Sequence, residues 1–267
     1  MQSKLYIGGY LAWAKILIKD RLVYKMNLAL MMIFQIMSPI VMLFVWTAIY
    51  LASGVSAINN FTLAQIISYF FIVSAMNALA PNIAHSMSDD VTYGNVFGAL
   101  IKPIHYVGGV LAYALGNIVV DSLIGIPIII LVTVLMHVSL SAYSWLLFFF
   151  AVVLMLALTS MVEFMVGCLS FFFVDIGGVS TIFTFLIQFL SGGLIPLNLL
   201  PSKVAAVTGA LPFQFMLYTP SAIFTGTLTS SQAVGSMEIG VLWALVFLVL
   251  CLAVWKIVRK QIDSVGV

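Results

Sequence analysis

Long unbroken apolar runs dominate the chain, and its polar residues gather in a few short stretches between them. A helix needs about 20 largely apolar residues to cross ~30 Å of hydrocarbon. Six segments meet that requirement, roughly 27–51, 62–84, 107–136, 144–173, 178–197 and 235–256. A transmembrane strand would instead alternate apolar and polar positions over about 10 residues. The runs here are continuous and longer, so the pattern predicts an all-α integral membrane protein with six transmembrane helices, one domain over residues 1–267.

Composition points the same way. Of 267 residues, 64% are hydrophobic and 7% charged, with a mean hydropathy of +1.23; soluble domains carry about 25% charged residues. That excludes a soluble enzyme, a nucleic-acid binder and a disordered chain. The net charge of +2 is too small to indicate an anionic partner. Cys168 and Cys251 lie inside apolar runs and read as small packing residues, not a disulfide framework. Lys15 interrupts the first apolar stretch and no small-x-small site follows it, so no cleavable signal is expected.

Basic residues orient the spans. Lys4, Lys15, Lys19, Arg21 and Lys25 precede the first, Lys102 sits in the second connection, and Lys256, Arg259 and Lys260 follow the last. Lys203 alone falls on the other side. The expectation is a multi-pass protein of the plasma (inner) membrane with both termini cytoplasmic.

Three connections ask for more than a loop. In residues 1–25, Tyr6, Tyr10, Trp13, Leu17 and Tyr24 follow at spacings of 4, 3, 4 and 7, with Lys4, Lys15 and Lys19 on the opposite face. This favours an amphipathic helix in the membrane interface over a simple basic topology anchor. In the cytoplasmic stretch 85–106, Ser88 is placed to cap a short helix with Asp89 and Asp90 in its first turn. Val91, Val96, Phe97, Leu100 and Ile101 are its apolar positions, and Pro103 stops it. It reads either as an amphipathic helix awaiting a protein partner or as an ordinary structured loop. Residues 198–234 are largely apolar yet cut by Pro201, Pro212 and Pro220 into pieces too short to span. Irregular backbone at membrane depth survives only when buried in protein, so an extracellular re-entrant or interfacial helix pair before the last span is expected.

With its parts in this order, the whole chain resembles the permease subunit of an ATP-binding cassette (ABC) transporter of the type-two export family. The sharpest local match is SGGLIPLNLLPSKVAAVTGALPFQFMLYTPSAIFTG, residues 191–226, through Gly193, Pro196, Pro201, Pro212, Phe213, Pro220 and Gly226. YGNVFGALIKPIHY resembles the family's coupling loop through Gly94, Leu100, Lys102 and Pro103, with Asp89 and Asp90 where Glu-x-Gly is more usual. The resemblance implies that Asp89, Asp90, Tyr93, Gly94, Phe97, Leu100, Lys102 and Pro103 meet an ATPase subunit. It further implies two such ATPases, a second permease (identical or homologous), and alternating access for a hydrophobic or amphipathic solute such as a drug, antibiotic, peptide or lipid-linked molecule. No G-x-x-x-x-G-K-[ST] motif occurs. The chain is therefore expected to be no enzyme and to bind no cofactor, with ATP and Mg on the partner.

Polar groups inside the spans are the remaining candidates, because ionisable residues there are costly. Asp121 falls near the middle of span three, with Asn117 one turn earlier, and Glu163 falls within span four. Each is open to three readings: an interhelical hydrogen bond, lining of a translocation path, or binding of a cationic group. Asp175 reads as a boundary charge. Gln35, Asn77 and Gln188 are amides of the kind that join helices, and they complete the path candidates with Asp121 and Glu163. The resemblance places Gln35 and Gln188 beside a dimer axis. Gly108, Ala112 and Gly116 form a small-x-x-x-small seam suited to close helix packing. His85, His105 and His137 share no metal-ligand spacing, so no metal site is expected. Two other functions are weighed against transport driven by ATP. An ion-coupled secondary transporter would show broken helices at matching places in its two halves, and only 198–234 is broken. An intramembrane lipid-modifying enzyme would need convergent catalytic groups, and no G-x-S-x-G or H-E-x-x-H occurs.

Overall fold

The apolar runs fold as helices because no water is present at that depth to satisfy an open backbone. The computed structural model describes residues 7–59, 61–96, 106–173 and 176–264. Its helices are α1 (Ile7–Val23), α2 (Lys25–Ser53), α3 (Leu63–Leu79), α4 (Ile83–Thr92), α5 (Tyr106–Leu135), α6 (Ala142–Cys168), α7 (Gly177–Leu190), α8 (Ser202–Ala210), α9 (Tyr218–Phe224) and α10 (Ser230–Ser264). A two-residue hairpin, β1 (Ala57–Ile58) with β2 (Phe61–Thr62), joins α2 to α3. Five helical stretches among the described residues are long and apolar enough to cross a membrane: Lys25–Ser53, Leu63–Thr92, Tyr106–Leu135, Ala142–Phe171 and Ser230–Gln261.

Local sequence fixes three helix starts at the hairpin end. Thr62 and Gln65 form a reciprocal capping box on α3, and Thr229 with Gln232 repeats the pattern before α10. The Ser141 hydroxyl accepts from the Ser144 N–H at 3.1 Å and starts α6. Each satisfies amide groups that a first turn otherwise leaves open. Two apolar clusters then run along the bundle. The larger joins α3, α5, α6 and the segment around Phe215 and Phe224. The smaller, at the far end, gathers Ile83, Met87, Tyr106, Phe164, Cys168 and Cys251, with Trp255 stacked on Tyr106 at 5.6 Å.

Three boundaries differ from the sequence pattern. The segment 178–197 is no single helix: α7 has 14 residues, about 21 Å at a rise of 1.5 Å per residue. It ends where Gly192 takes φ +83, and a Cβ there would lie 2.8 Å from the Tyr69 hydroxyl. The segment 62–84 is broken at Ala80–Asn82 because Pro81 has no N–H to continue the ladder. The third correction follows from that break. Ser88, Asp89 and Asp90 do not open a helix; they lie in the second half of α4, which begins at Ile83. The Pro81 break, together with burial of Ile83, Ala84 and Met87 against α6, outweighs the local capping preference of Ser88.

Of the stretch 198–234, the last five residues already belong to α10; residues 197–229 fold as short pieces, a turn at Leu197–Leu199, α8, a turn at Pro212–Phe215 and α9. Pro196 and Pro201 stand at the start of two of them and Pro212 opens the third, where a missing N–H costs nothing. Phe215 is 1% exposed. It lies so close to Gly240 that a Cβ there would meet its ring at 3.1 Å. Gly240 is ten residues into α10, roughly 15 Å from its start. This stretch therefore penetrates the bundle from the hairpin end.

Helix α1 packs along α5, and Tyr24 (φ −88, ψ 59) separates it from α2. Tyr6 and Lys4, and the side chains of Tyr10, Trp13 and Leu17, lie outside the described residues, as do Val174, Asp175 and the stretch 97–105.

Close approach of α3 and α5 rests on Gly125, where a Cβ would meet the Ala75 carbonyl oxygen at 3.0 Å and Leu79 Cγ at 2.8 Å. Gly125→Ala is expected to destabilise the protein by about 1–3 kcal/mol, as overpacking does. Gly109→Ala, with nothing within 4 Å of the added carbon, is expected to cost nothing and to add up to about 1 kcal/mol through helix propensity. Thermal unfolding in detergent distinguishes the two.

Candidate functional site

A cavity of about 510 Å³ opens between α2, α3 and α7. Its walls follow from two local facts. Pro39 lies inside α2 and has no N–H to give the carbonyl of Gln35, one turn before it. The freed carbonyl accepts from the Ser74 hydroxyl, and the Gln35 amide donates in return to the Ser74 carbonyl. That clasp fixes α2 against α3. On α7, Ser180, Thr181, Thr184 and Gln188 fall on one face at helical spacing and line the opposite wall. Gln188 Nε2 donates across the cavity to Asn77 Oδ1 at 2.6 Å. Gly193 makes room for Gln188, since a Cβ there would collide with its Oε1. Phe34, Met42, Phe70, Val73, Phe185 and Leu194 supply the apolar lining.

Three of the five path candidates thus meet in one place: Gln35, Asn77 and Gln188. Asp121 and Glu163 do not line it. Asp121 forms an ion pair with Arg21 at 2.9 Å, and the same guanidinium donates to Asn117 Oδ1 at 3.1 Å. Arg21 lies in the last turn of α1, so this contact sets Asp121, at the middle of α5, level with the α1–α2 junction. Glu163 Oε2 accepts from the Ala84 N–H at 3.0 Å. It thereby caps the α4 start that Pro81 leaves open.

Next to this Glu163 contact, a Cβ on Gly167 would meet Met87 Sδ at 2.7 Å and Ala84 Cα at 3.2 Å, so α4 and α6 touch almost backbone to backbone. Asp89 lies 3.7 Å from His85, and Tyr106 donates to Asp90 at 3.3 Å. Tyr93 is 76% exposed at the tip, and Gly94 takes φ +72 to turn the chain. Phe97, Leu100, Lys102 and Pro103, read as part of the same cluster, lie outside the described residues. Of the 191–226 motif, Gly193 shapes the cavity, Phe213 and Pro212 belong to the penetrating turn, Pro220 is in the first turn of α9, and Gly226 takes φ +70 after it. Sequence reading missed Arg21 and Ser74 as partners. The first had no signal, being 100 residues from Asp121; the second had one, the proline four residues after Gln35.

A double-mutant cycle on Asn77→Ala and Gln188→Ala is expected to give a coupling of about 0.6–1.7 kcal/mol, the range of interhelical hydrogen bonds in membranes. Glu163→Ala leaves the Ala84 N–H buried without an acceptor and is expected to cost about 1–3 kcal/mol. Glu163→Gln, which keeps a carbonyl oxygen in place, costs less. Both comparisons are read by unfolding in detergent.

No curated protein matches the chain. A family model described as ABC-2 family transporter protein matches residues 36–266. That span takes in all of the cavity lining except Phe34 and Gln35, together with α4 and every helix that follows it, and with it the chain belongs to the ABC-2 transporter family, as a multi-pass membrane component of an ABC transporter that works with an ATPase subunit.

Proposed function

We propose that this chain is an exporter permease whose solute passes through the cavity between α2, α3 and α7. One observation carries the reading. The cavity wall α3 continues across the single Pro81 break into α4, whose tip presents Tyr93, so a push on that tip acts on the helix that carries Asn77. The Glu163 cap and the Gly167–Met87 contact make α4 and the far half of α6 one body, which turns a local push into a helix displacement.

In this reading α7 and the segment after it form the sixth crossing, and 198–229 is a re-entrant region dipping from the outside. Both termini, α1 and the 85–106 coupling segment face the cytoplasm across the plasma membrane. Two ATPase subunits bind there. The weakly buried outer faces of α2 and α7 meet a second permease, identical or related. Nucleotide shifts the pair between inward-open and outward-open states only if it binds one better than the other. The permeant is a hydrophobic or amphipathic solute. Ion-coupled transport and intramembrane catalysis give way to this reading because the family is that of ABC transporters.

Tagged protein purified from its host in mild detergent is expected to bring an ATPase subunit with it, identified by mass spectrometry. Tyr93→Ala combined with Asp89→Lys should lower ATP-driven transport at least tenfold while the permease still accumulates in the membrane. Full transport by the double variant would remove α4 from the coupling path.

A further inference from the structure

The lining of the cavity holds eight side chains with hydroxyl or amide groups and none with a formal charge. The polar groups come from all three helices and face one another. Some of their capacity is used: Gln35 donates to Ser74, and Asn77 accepts from Gln188. Among the described residues the Asn77 NH2, the Gln35 side-chain oxygen and the Ser38 and Thr184 hydroxyls remain without a partner in this chain. That is a set of donors and acceptors within one small chamber, arranged around a space and not around each other. The aromatic rings of Phe34 and Phe185 flank it and are largely exposed, at 68% and 62%.

Elementary electrostatics restricts what such a chamber holds. A cation or anion leaving water needs an opposite charge or full solvation by dipoles, and the lining supplies no opposite charge. Two charged groups packed inside the bundle are engaged elsewhere: Arg21 with Asp121, Glu163 with the Ala84 N–H. A neutral group rich in hydroxyls or amides loses little, because the side chains here return its hydrogen bonds. The exposed rings of Phe34 and Phe185 suit an attached hydrocarbon portion.

We infer that the permeant is an uncharged amphipath, with a hydroxyl- or amide-bearing head group that occupies the Gln35–Asn77–Thr184–Gln188 chamber and an apolar tail along Phe34 and Phe185. The inference rests on the cavity being the translocation path. It excludes permanently cationic drugs and anionic phospholipids as preferred cargo, and it assigns the discrimination to Asn77, Thr184 and Gln188.

The test uses the intact permease–ATPase complex in nanodiscs for binding and in proteoliposomes for ATP-driven movement. Three fluorescent probes are compared: short-chain NBD-glucosylceramide (neutral), short-chain NBD-phosphatidylglycerol (anionic) and rhodamine 6G (cationic). The glucosyl probe is expected to bind at least tenfold more tightly than either charged one. Gln188→Glu should reverse the order between glucosyl probe and rhodamine 6G, a gain that misfolding does not produce. Failure of the glucosyl probe to bind, or binding of either charged probe within threefold of it, overturns the inference. Thr184→Trp separates this outcome from failure of the path itself. If it abolishes movement of whichever probe the parent moves, the path stands and only the cargo class is wrong. If Thr184→Trp, folded and bound to the ATPase, binds and moves every probe like the parent, the path reading falls and the cargo inference falls with it.

Discussion

Wherever the backbone departs from a helix inside an apolar bundle, the hydrogen bonds it gives up must be recovered from a neighbour. That requirement organises this molecule at three places. At Pro39 the orphaned Gln35 carbonyl is taken by Ser74. At Pro81 the open start of α4 is taken by Glu163. At Gly192 the carbonyl accepts from the Tyr69 hydroxyl at 2.8 Å. Each recovery ties together elements far apart in sequence, and together they set α2 on α3, α4 on α6, and the segment after α7 on α3. The cavity is what remains between helices held this way.

The same requirement explains why polar residues here divide into two kinds. Glu163, Ser74 and Tyr69 compensate a break and are committed to it. Gln35, Asn77 and Gln188 are amides with two ends, and one end of each is enough to hold the wall. Asp121 belongs with the first kind by a different route, since its charge is matched by Arg21. A residue's cost of burial alone does not say whether it serves structure or transport; its remaining hydrogen-bonding capacity does.

Much of the architecture was legible because length and continuity of apolar runs are decisive for helices in a membrane. The broken character of the stretch that follows residue 198 was legible in its three prolines, whereas the caps at Thr62 and Ser141 are seen only in the structure. Helix α4 was placed wrongly because Ser88-Asp89-Asp90 is a good local cap, while the competing break at Pro81 wins only through packing of Ile83 and Met87 on α6. The partner of Asp121 could not be named, because nothing near it in sequence announces Arg21. The three amides of the cavity could be named but not joined, since spacing within one helix carries no information on which face meets another.

The shortness of α7 bears on how the protein is made. A segment of 14 residues that ends at Gly192–Gly193 is some 9 Å short of the ~30 Å hydrocarbon layer. On leaving the ribosome it is a weak candidate for independent insertion, and its stay in the bilayer depends on the elements packed around it, α4 and the turn at Pro212–Phe215 among them. Helix α10, by contrast, is long and apolar enough to cross alone, so it is the insertion of α7 that needs help. Its efficiency depends on bilayer thickness, because a thinner membrane lowers the mismatch around α7.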